Sequence, residues 1–366
     1  MRAGRDPRTG RYVYRCATAD TEAGAGRRML GEAEAQKAAH VDPTRQSLGE
    51  YLAAWTERKR AEGRKPKTMY DYHRVIRVLI TPALGSVPLQ DLSPAMIQNW
   101  QDGLAPTPSA RGAAQAALAY RTLRSALSDA ARLGLVPFNA AARARPALRT
   151  PKKRAGFTLQ EAQALIAAAD GEGMAPLFAF MLYTGLRLGE ALGLRWDAVD
   201  LKTRRVAVRT SRVEVGSKMV EGTPEAARST RTVALLTGVV DALRAQEARQ
   251  EHLRAAAGTT WHEEGLVFTN RSGAGLESHN VDRTFRRIRT HAGVRPLPLH
   301  SMRHATASIL LGAGVPVAVA AKMLGHSVTL FAETYADLLM EAADDAARQA
   351  DEWLARQTVG AAISRP

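Results

Sequence analysis

The sequence predicts a multidomain, mostly α-helical protein in which a helical front domain precedes a mixed α/β domain with a small antiparallel sheet. Three observations predict this architecture. The chain has 366 residues, which is too long for one ordinary domain. Apolar residues recur at helical spacing from Ser47 onward, and beyond that point period-two alternation is confined to a short region after residue 200. The basic stretch RARPALRTPKKRAG, which contains two prolines, separates the two patterns.

The composition excludes several classes of protein. Hydrophobic residues make up 45% of the chain and charged residues 24%, and no apolar run approaches the length of a membrane span. The basic N-terminus, MRAGRDPRTGRYVYR, is not followed by an apolar signal region. Because Cys16 is the only cysteine in the sequence, an internal disulfide and a cysteine-built zinc site are both excluded. We therefore expect a cytoplasmic protein without a membrane segment.

The positive charge is concentrated in the front half of the chain. The formal net charge is +15, from 51 basic and 36 acidic residues. Residues 1–150 hold 24 basic and 13 acidic side chains, whereas the remaining residues hold 27 and 23. A front half this basic attracts polyanions, and DNA or RNA is the first candidate partner. The competing interpretation is a soluble protein from an arginine-rich proteome.

Residues 1–40 form a short basic segment that precedes the helical region. RYVYRC alternates as a strand does, and GEAEAQKAAH is typical of a brief helix. The segment is predicted to be a small module, with a partly disordered arm as the alternative.

Residues 46–145 carry the signatures of a four-helix domain. Ser47, with Glu50 three residues later, forms a capping box before apolar helical spacing. KPKTMYDYHRVIRVLITPALG predicts a second helix that ends near Thr81-Pro82. Ser93 is suited to cap the helix of DLSPAMIQNWQDGL. The fourth helix, AAQAALAYRTLRSALSDAARLGLV, is long, amphipathic and ended by glycine.

The second half is predicted to mix helices with a small sheet. Residues 146–155 are predicted to form an extended basic linker, with a solvated loop as the alternative. Thr158 and Glu161 form a second capping box. RRVAVRT, RVEVG and RTVALL alternate with period two and predict an antiparallel sheet with a turn near Gly216-Ser217. Helical spacing resumes at Thr237.

The motif TGLRLGEALGLRW places an arginine where an anion is favoured. Gly185 permits a tight turn before a helix, so Arg187 is predicted to lie at a helix N-terminus. Free backbone amides and the helix dipole favour negative charge there, and a guanidinium binds phosphate through two hydrogen bonds. Taken alone, the motif is more typical of an exposed arginine at an ordinary junction of a loop and a helix.

A second cluster of ionisable groups lies in PLPLHSMRHATASILLGAGVPVAVAAKMLGHSVTLFAETYADL. His300 and Arg303 share one helical face, Gly325 and His326 are predicted to form the turn after a short helix, and Tyr335 lies nine residues beyond His326. Singly, His326 is more typical of a core histidine and Tyr335 of a packing residue. Together, two arginines and two histidines can surround a phosphate diester and stabilise its transition state. A tyrosine there can attack phosphorus without a metal or a nucleotide cofactor.

These motifs resemble those of the tyrosine recombinases, and specifically the phage-type integrases of actinobacteria. TGLRLGEALGLRW, HSMRH, LGHS and ETYADL occur in the order and at the spacing of that family. The region from SLGEYLAAW to LVPFNAAAR is similar to the family's helical core-binding domain. The resemblance implies an arm-type DNA-binding module at 1–40, a core-binding domain at 46–145, a basic linker at 146–155, a catalytic domain at 156–340 and a C-terminal tail at 341–366.

The resemblance also implies a role for each motif residue. Tyr335 corresponds to the nucleophile, and Arg187 and Arg303 correspond to the pair that clamps the scissile phosphate. His300 would share proton transfer with the phosphate oxygens and the tyrosine. His326 would form a hydrogen bond with the phosphate.

Two acidic residues and one lysine require separate interpretation. Glu190 matches a common family acid and is expected to orient an arginine or histidine. Family members usually carry a lysine before the Arg-x-Val strand, and that lysine is thought to protonate the departing 5′ hydroxyl. Here Glu225 aligns with it, in EGTPEAARSTRTVALL, and a carboxylate is a poor proton donor at neutral pH. Lys218 is the predicted substitute, and Arg228 is too weak an acid to serve.

The function implied by the resemblance is site-specific DNA recombination, by which a phage or other mobile element integrates or excises. The chemistry would be strand cleavage through a 3′-phosphotyrosyl intermediate followed by strand exchange. Expected partners are double-stranded DNA attachment sites, a homo-tetramer on the DNA and a directionality or DNA-bending accessory protein. No cofactor, metal or membrane is expected. The C-terminal tail is expected to pack on a neighbouring subunit or on its own domain.

Three other interpretations compete with this function. A recombinase-like DNA-binding protein without catalysis is favoured by Glu225 and opposed by the other motif residues. A zinc hydrolase is suggested by His300 and His304, but Ser301 stands where a zincin helix has glutamate, and His304 is more typical of a packing or capping residue. A topoisomerase shares phosphotyrosine chemistry, yet the helical front domain and the motifs favour integration.

Overall fold

In the computed structural model the chain divides into two compact units, Met1–Thr150 and Pro151–Pro366, called here the front unit and the second unit. Most of the described residues are helical, and three small antiparallel sheets accompany the helices. This confirms the predicted fold class. The residues that the structure describes are 2–5, 12–14, 46–104, 110–145, 156–223, 230–340 and scattered positions between 343 and 354.

The described part of the front unit contains a β-hairpin followed by helices. β1 and β2 pair in antiparallel fashion, and β2 confirms the strand expected in RYVYRC. The bounds are β1 Arg2–Arg5, β2 Tyr12–Tyr14, α1 Leu48–Ala61, α2 Pro66–Val75, α3 Thr81–Leu84, α4 Pro94–Leu104, α5 Ala110–Arg132 and α6 Ala140–Arg143.

Local sequence signals set the ends of these helices. The Ser47 hydroxyl accepts a hydrogen bond from the Glu50 amide at 3.2 Å, and the Glu50 carboxylate accepts one from the Ser47 amide at 2.8 Å. This is the predicted capping box at the start of α1. The Ser93 hydroxyl accepts from the Met96 amide at 3.2 Å, so the predicted cap of α4 is also present. Gly134, with φ of +74°, follows the end of α5.

The second helix continues past the proline that was predicted to end it. Ile76–Ile80 form a π-helical turn, and α3 then extends the helix to Leu84, beyond Thr81-Pro82. A proline ring normally clashes with the carbonyl four residues earlier. In the wider π turn the Thr81 amide donates to the Ile76 carbonyl, five residues earlier rather than four. This changes the spacing between the proline ring and the preceding carbonyls. The helix therefore accommodates Pro82 where an α-helical register would not.

A buried polar network links α1 to α5 in the front unit. Asp129 accepts a hydrogen bond from Trp55 Nε1 at 2.8 Å and forms an ion pair with Lys59 Nζ at 2.9 Å. Lys59 is only 7% exposed, and its second partner is the exposed Glu62 carboxylate at 2.8 Å. Trp55 is fully buried in the apolar core between the helices. Asp129 thus satisfies both the indole N–H and a buried ammonium group.

The second unit begins with helices, continues through five short strands and returns to helices. The bounds are α7 Leu159–Ala168, α8 Ala175–Thr184, α9 Leu188–Leu192, β3 Val199–Asp200, β4 Arg205–Val208, β5 Ser211–Val215, β6 Lys218–Gly222, β7 Arg231–Ala234, α10 Thr237–Ala257, α11 Ser278–His291, α12 Ser301–Gly312, α13 Val317–Leu324 and α14 Val328–Thr334.

The strands form two sheets where the sequence predicts one. β4 pairs with β3 and β7, whereas β5 pairs only with β6 among the described strands. The turn predicted at Gly216-Ser217 is confirmed, because Val215 and Lys218 face each other at the closed end of the β5–β6 hairpin. The prediction of a single sheet was wrong, because alternation identifies a strand but does not identify its partner.

The core of the second unit surrounds α8. Its sequence, APLFAFMLYT, is apolar on all sides, which is typical of a fully buried helix. The helix packs against α10 and α12. Phe178 meets Phe285 of α11 edge to face, with ring centroids 5.6 Å apart. α7 starts with the predicted capping box of Thr158 and Glu161. None of the helices in the described part of the chain has the length and apolar composition of a membrane span.

Several sequence-based predictions fall outside the described residues. These are the helix of GEAEAQKAAH, the basic linker 146–155, the positions of Glu225 and Arg228, and most of the C-terminal tail 341–366.

The Asp129 network yields a stability prediction. We expect Asp129→Ala to lower the free energy of unfolding of the front unit by about 2 to 4 kcal/mol, because it leaves the Trp55 indole unpaired and Lys59 with one exposed partner. The measurement is denaturant-dependent hydrogen exchange of α1 and α5 amides in the full chain. Asp71→Ala is the control, since its ion pair with Lys67 is exposed and should contribute about 1 kcal/mol or less. Equal losses in the two variants would contradict the prediction.

Candidate active site

The turn before α9 places Arg187 at a helix N-terminus, as the sequence predicts. Gly185 has φ of +65°, and a Cβ at this position would collide with the Leu324 side chain. Arg187 is the N-cap of α9. Its amide donates to Glu190 at 3.1 Å and its Nη1 donates to the same carboxylate at 3.0 Å. The Arg187 side chain remains 27% exposed, so it borders both the core and the surface.

Glu190 is a buried carboxylate shared by two arginines. Its side chain is 2% exposed and lies 3.0 Å from Nη2 of Arg231, whose side chain is 5% exposed. Burial alone would raise the pKa of Glu190, but the hydrogen bond and charge of Arg231, assisted by Arg187, lower it below its ordinary value. Glu190 therefore stays ionised. The expectation that it contacts an arginine is met by both Arg187 and Arg231.

Arg303 lies deep in the same cluster. It is 2% exposed, and its Nη1 donates to the Gly185 carbonyl at 2.6 Å while its Nη2 donates to the Leu324 carbonyl. Burial, followed by the positive charge of Arg187, lowers the pKa of Arg303 to about 10. The guanidinium remains charged at neutral pH. Its two carbonyl bonds hold the turn before Arg187 close to the end of α13.

His326 follows α13 in the turn that the sequence predicts. Gly325 adopts a left-handed conformation with φ of +67°, and the His326 amide bonds to the Ala321 carbonyl at 2.9 Å. Burial and the charges of Arg303, Arg187 and Arg231 lower the pKa of the half-buried imidazole to about 4. His326 is therefore neutral at physiological pH. Its Nδ1 is buried and has no hydrogen-bond partner in the described part of the chain.

Tyr335 caps the C-terminal end of α14 and packs among aromatic rings. It is 3% exposed. Its ring stacks on His326 with centroids 6.0 Å apart and an interplanar angle of 22°. The rings of His304 and Phe331 lie at 5.1 Å and 4.7 Å. The charge of Arg303 also interacts with Tyr335. The tyrosine thus lies within the group of cationic side chains.

His300 and His304 line the start of α12. His300 is the exposed N-cap residue, and its ring lies 5.8 Å from that of His304 in a T-shaped arrangement. His304 is 6% exposed and packs between His300 and Tyr335. Sequence reasoning treated His304 as a packing or capping residue and did not connect it with Tyr335. No group of three metal-ligating side chains occurs among the residues that the structure describes.

The structure brings five of the six sequence-predicted site residues together. The five are Arg187, His300, Arg303, His326 and Tyr335. Lys218 is exposed at the first position of β6, with Val215 opposite. Across the described residues, Lys218 forms no hydrogen bond or ion pair with that group. Glu225 and Arg228 lie outside the described residues.

Sequence reasoning missed Arg231, a buried side chain that contacts the site residues. It lies on β7 and bonds to Glu190 and to the Met323 carbonyl. A signal was present, because Arg231 begins the Arg-x-Val pattern of RTVALL. That pattern was used to identify the strand and to align Glu225 with the family lysine, but not to predict a site residue. The contact between residues 190 and 231 is long-range and has no local sequence signature.

Comparisons with known proteins agree with this arrangement. The model of the phage integrase family matches residues 157–342, and that of the N-terminal SAM-like domain of phage integrases matches residues 47–105. An integrase of Streptomyces ambofaciens is 29% identical over 301 residues, covering 80% of this chain and 76% of the relative. A tyrosine recombinase XerC-like protein of Caldanaerobacter subterraneus is 28% identical over 196 residues, covering 50% of each chain.

Solved structures share the fold at low sequence identity. The Tn1549 transposon integrase in complex with transposon right end DNA has a TM-score of 0.68 and 17% identity, covering 83% of this chain and 99% of that chain. A lambda integrase tetramer bound to a Holliday junction has a TM-score of 0.56 and 20% identity, covering 88% and 92%.

A helical unit that precedes a mixed α/β unit, with a tyrosine set among arginines in the second, is the arrangement of enzymes that break and rejoin DNA through tyrosine. The chain belongs to the phage integrase family, because that family's model spans residues 157–342, half of its length. Within that family it is a site-specific tyrosine recombinase.

The depressed pKa of His326 predicts a pH-dependent stability. The imidazole titrates near pH 4 in the folded protein and near 6.5 when exposed, so between these values only the unfolded chain binds the proton. We expect the wild-type free energy of unfolding to fall, relative to His326→Gln, as pH decreases from 6.5 to 4. Denaturant titrations of both proteins across this range measure the difference. Parallel curves would contradict the prediction.

Proposed function

We propose that this recombinase cleaves DNA by attack of Tyr335 Oη on the scissile phosphorus, with Arg187 and Arg303 clamping the phosphate. The observation that carries the proposal is the burial of Tyr335 against His326, within the electrostatic reach of Arg303. A strongly positive site favours the tyrosinate form of a phenol whose pKa is ordinarily near 10. The same positive charge stabilises the additional negative charge of the pentavalent transition state.

The proposed cleavage step exchanges one phosphate ester bond for another and requires no cofactor. A bond forms between Tyr335 Oη and phosphorus while the bond from phosphorus to the 5′ oxygen breaks, which gives a 3′-phosphotyrosyl enzyme and a 5′ hydroxyl. His300, exposed at the start of α12, takes part in moving the tyrosine proton. His326 donates a hydrogen bond to a phosphate oxygen. Attack by a 5′ hydroxyl from another strand reverses the step and completes strand exchange.

The two units support a division of labour on DNA. In this proposal residues 46–145 are the core-binding domain, residues 156–340 the catalytic domain and residues 146–155 the basic linker between them. Residues 1–40 contact accessory arm sites, and the tail 341–366 packs on a neighbouring subunit or on its own domain. The front half's excess of 24 basic over 13 acidic residues supports contact with the phosphate backbone.

The assembly proposed for the reaction is a homo-tetramer on two double-stranded attachment sites. The fold shared with a lambda integrase tetramer bound to a Holliday junction supports this state. We propose that the substrate is the DNA of a phage or other mobile element, and the fold shared with the Tn1549 transposon integrase supports a mobile element. The proposed location of the reaction is the cytoplasm. A directionality or DNA-bending protein is the proposed accessory partner.

Trapping the covalent intermediate tests the nucleophile. Nicked duplexes that span candidate attachment sequences beside the gene should give a protein–DNA adduct on a denaturing gel, because the released fragment diffuses away. Tyr335→Phe should abolish the adduct. Tyr120→Phe is the matched control, since Tyr120 is also buried but bonds to the Ala141 carbonyl in the front unit. An adduct that persists in Tyr335→Phe would overturn the assignment.

A second prediction concerns the proton donor for the 5′ oxygen. We propose that Lys218 substitutes for the family lysine at the position of Glu225. Lys218→Ala should then slow single-turnover adduct formation by a factor on the order of 10² or more, and Glu225→Lys should accelerate it. A substrate with sulfur in place of the bridging 5′ oxygen needs no protonation, so it should restore the rate of Lys218→Ala. Unchanged rates in both variants would refute this role.

A further inference from the structure

Arg231 forms hydrogen bonds with both Glu190, the partner of Arg187, and the end of α13, which precedes His326. Its Nη2 and Nη1 approach the two oxygens of Glu190 at 3.0 Å and 3.4 Å, and its Nε donates to the Met323 carbonyl at 2.9 Å. Glu190 is itself bonded to Arg187. Met323 lies near the end of α13, shortly before His326. One guanidinium therefore reaches both the Arg187 side and the His326 side of the site.

The contact with α13 fixes the turn that carries His326. The last carbonyls of a helix have no partner within the helix, and here two arginines supply partners for adjacent ones. Arg231 bonds to the Met323 carbonyl, and Arg303 bonds to the Leu324 carbonyl. A Cβ on Gly325 would lie only 3.2 Å from Arg231 Nη1, so the turn passes directly over the guanidinium.

The strand that contains Arg231 holds this side chain in position. Arg231 begins β7 and pairs with Val208 of β4 in the three-stranded sheet. Its side chain is 5% exposed, so it is packed on all sides. A planar guanidinium can hold a carboxylate with two N–H groups and a carbonyl with a third, whereas an ammonium cannot reproduce this fork. The arrangement therefore requires arginine in particular.

We propose that Arg231 is a positioning residue that sets the separation between Arg187 and His326, so that both side chains contact the same phosphate. It acts through the Glu190 carboxylate on one side and the Met323 carbonyl on the other. This inference rests on the proposed roles of Arg187 and His326 in phosphate binding. A small misplacement of groups that contact a reacting phosphate reduces the rate much more than it reduces affinity.

The first test separates the rate of cleavage from DNA binding. Arg231→Lys should slow single-turnover adduct formation by roughly 10- to 100-fold while the Kd for uncleaved DNA, measured in a Tyr335→Phe background, changes less than about twofold. Arg212→Lys is the matched control, because Arg212 lies on β5 and its guanidinium pairs with Glu264 at 3.4 Å rather than with Glu190 or the end of α13. Thermal unfolding of both variants verifies that each is folded. A wild-type cleavage rate in Arg231→Lys, or equal losses in rate and affinity, would overturn the inference.

A double-variant comparison tests whether Arg231 acts through Glu190. Glu190→Gln combined with Arg231→Lys should cleave no more slowly than the slower single variant, since both substitutions remove the same link. Multiplicative losses would mean that the two residues act independently, and the proposed route through Glu190 would be wrong.

A third readout requires no activity. The measurement is a pH titration of the His326 imidazole by NMR, with the resonances assigned by their loss in His326→Gln. In Arg231→Gln the imidazole should become protonated at a higher pH than in wild type, because a nearby positive charge has been removed. Arg212→Gln should leave this titration unchanged. An unshifted His326 titration in Arg231→Gln would overturn the inference. If wild type forms no adduct but the titration shifts as expected, the proposed cleavage reaction fails while the placement of Arg231 beside His326 stands.

Discussion

The site depends on one constraint, which is that several cationic groups must be held close together in a partly buried space. Arg187, Arg231 and Arg303 repel one another, and burial adds a desolvation cost for each charge. The buried carboxylate of Glu190 offsets part of this cost by pairing with two of them. Arg303 is satisfied differently, by the carbonyls of Gly185 and Leu324. One anion and a set of oriented backbone dipoles thus stabilise the arrangement.

The protonation states of the neighbouring groups follow from this constraint. Glu190 stays ionised although it is buried, because two guanidinium groups favour its charged form. His326 stays neutral for the opposite reason, since burial and the same arginines disfavour a further positive charge. A neutral imidazole has one N–H donor and one acceptor, so His326 can bind a phosphate oxygen without adding to the repulsion.

Those parts of the structure that depend on neighbours in the chain could be predicted from the sequence. The capping box of Ser47 and Glu50, and the turn at Gly325, involve residues a few positions apart and have strong local signatures. The end of the second helix was predicted wrongly because the π turn that accommodates Pro82 leaves no sequence signal. The contact of Glu190 with Arg231 spans 41 residues and depends on how the sheet packs, so no periodicity could identify it.

The excess positive charge of the cluster suits it to the proposed phosphate substrate. In the described part of the chain the cluster holds three arginines but only one carboxylate, which pairs with two of them, so a phosphate diester at the proposed site would meet a net electrostatic attraction. The phosphate's negative charge opposes the effect of the arginines on His326 and favours protonation of its imidazole. Phosphate binding at this site would therefore be coupled to the protonation of His326. In the proposed reaction, the fold holds the arginines in place before a phosphate binds, which avoids the cost of assembling like charges during cleavage.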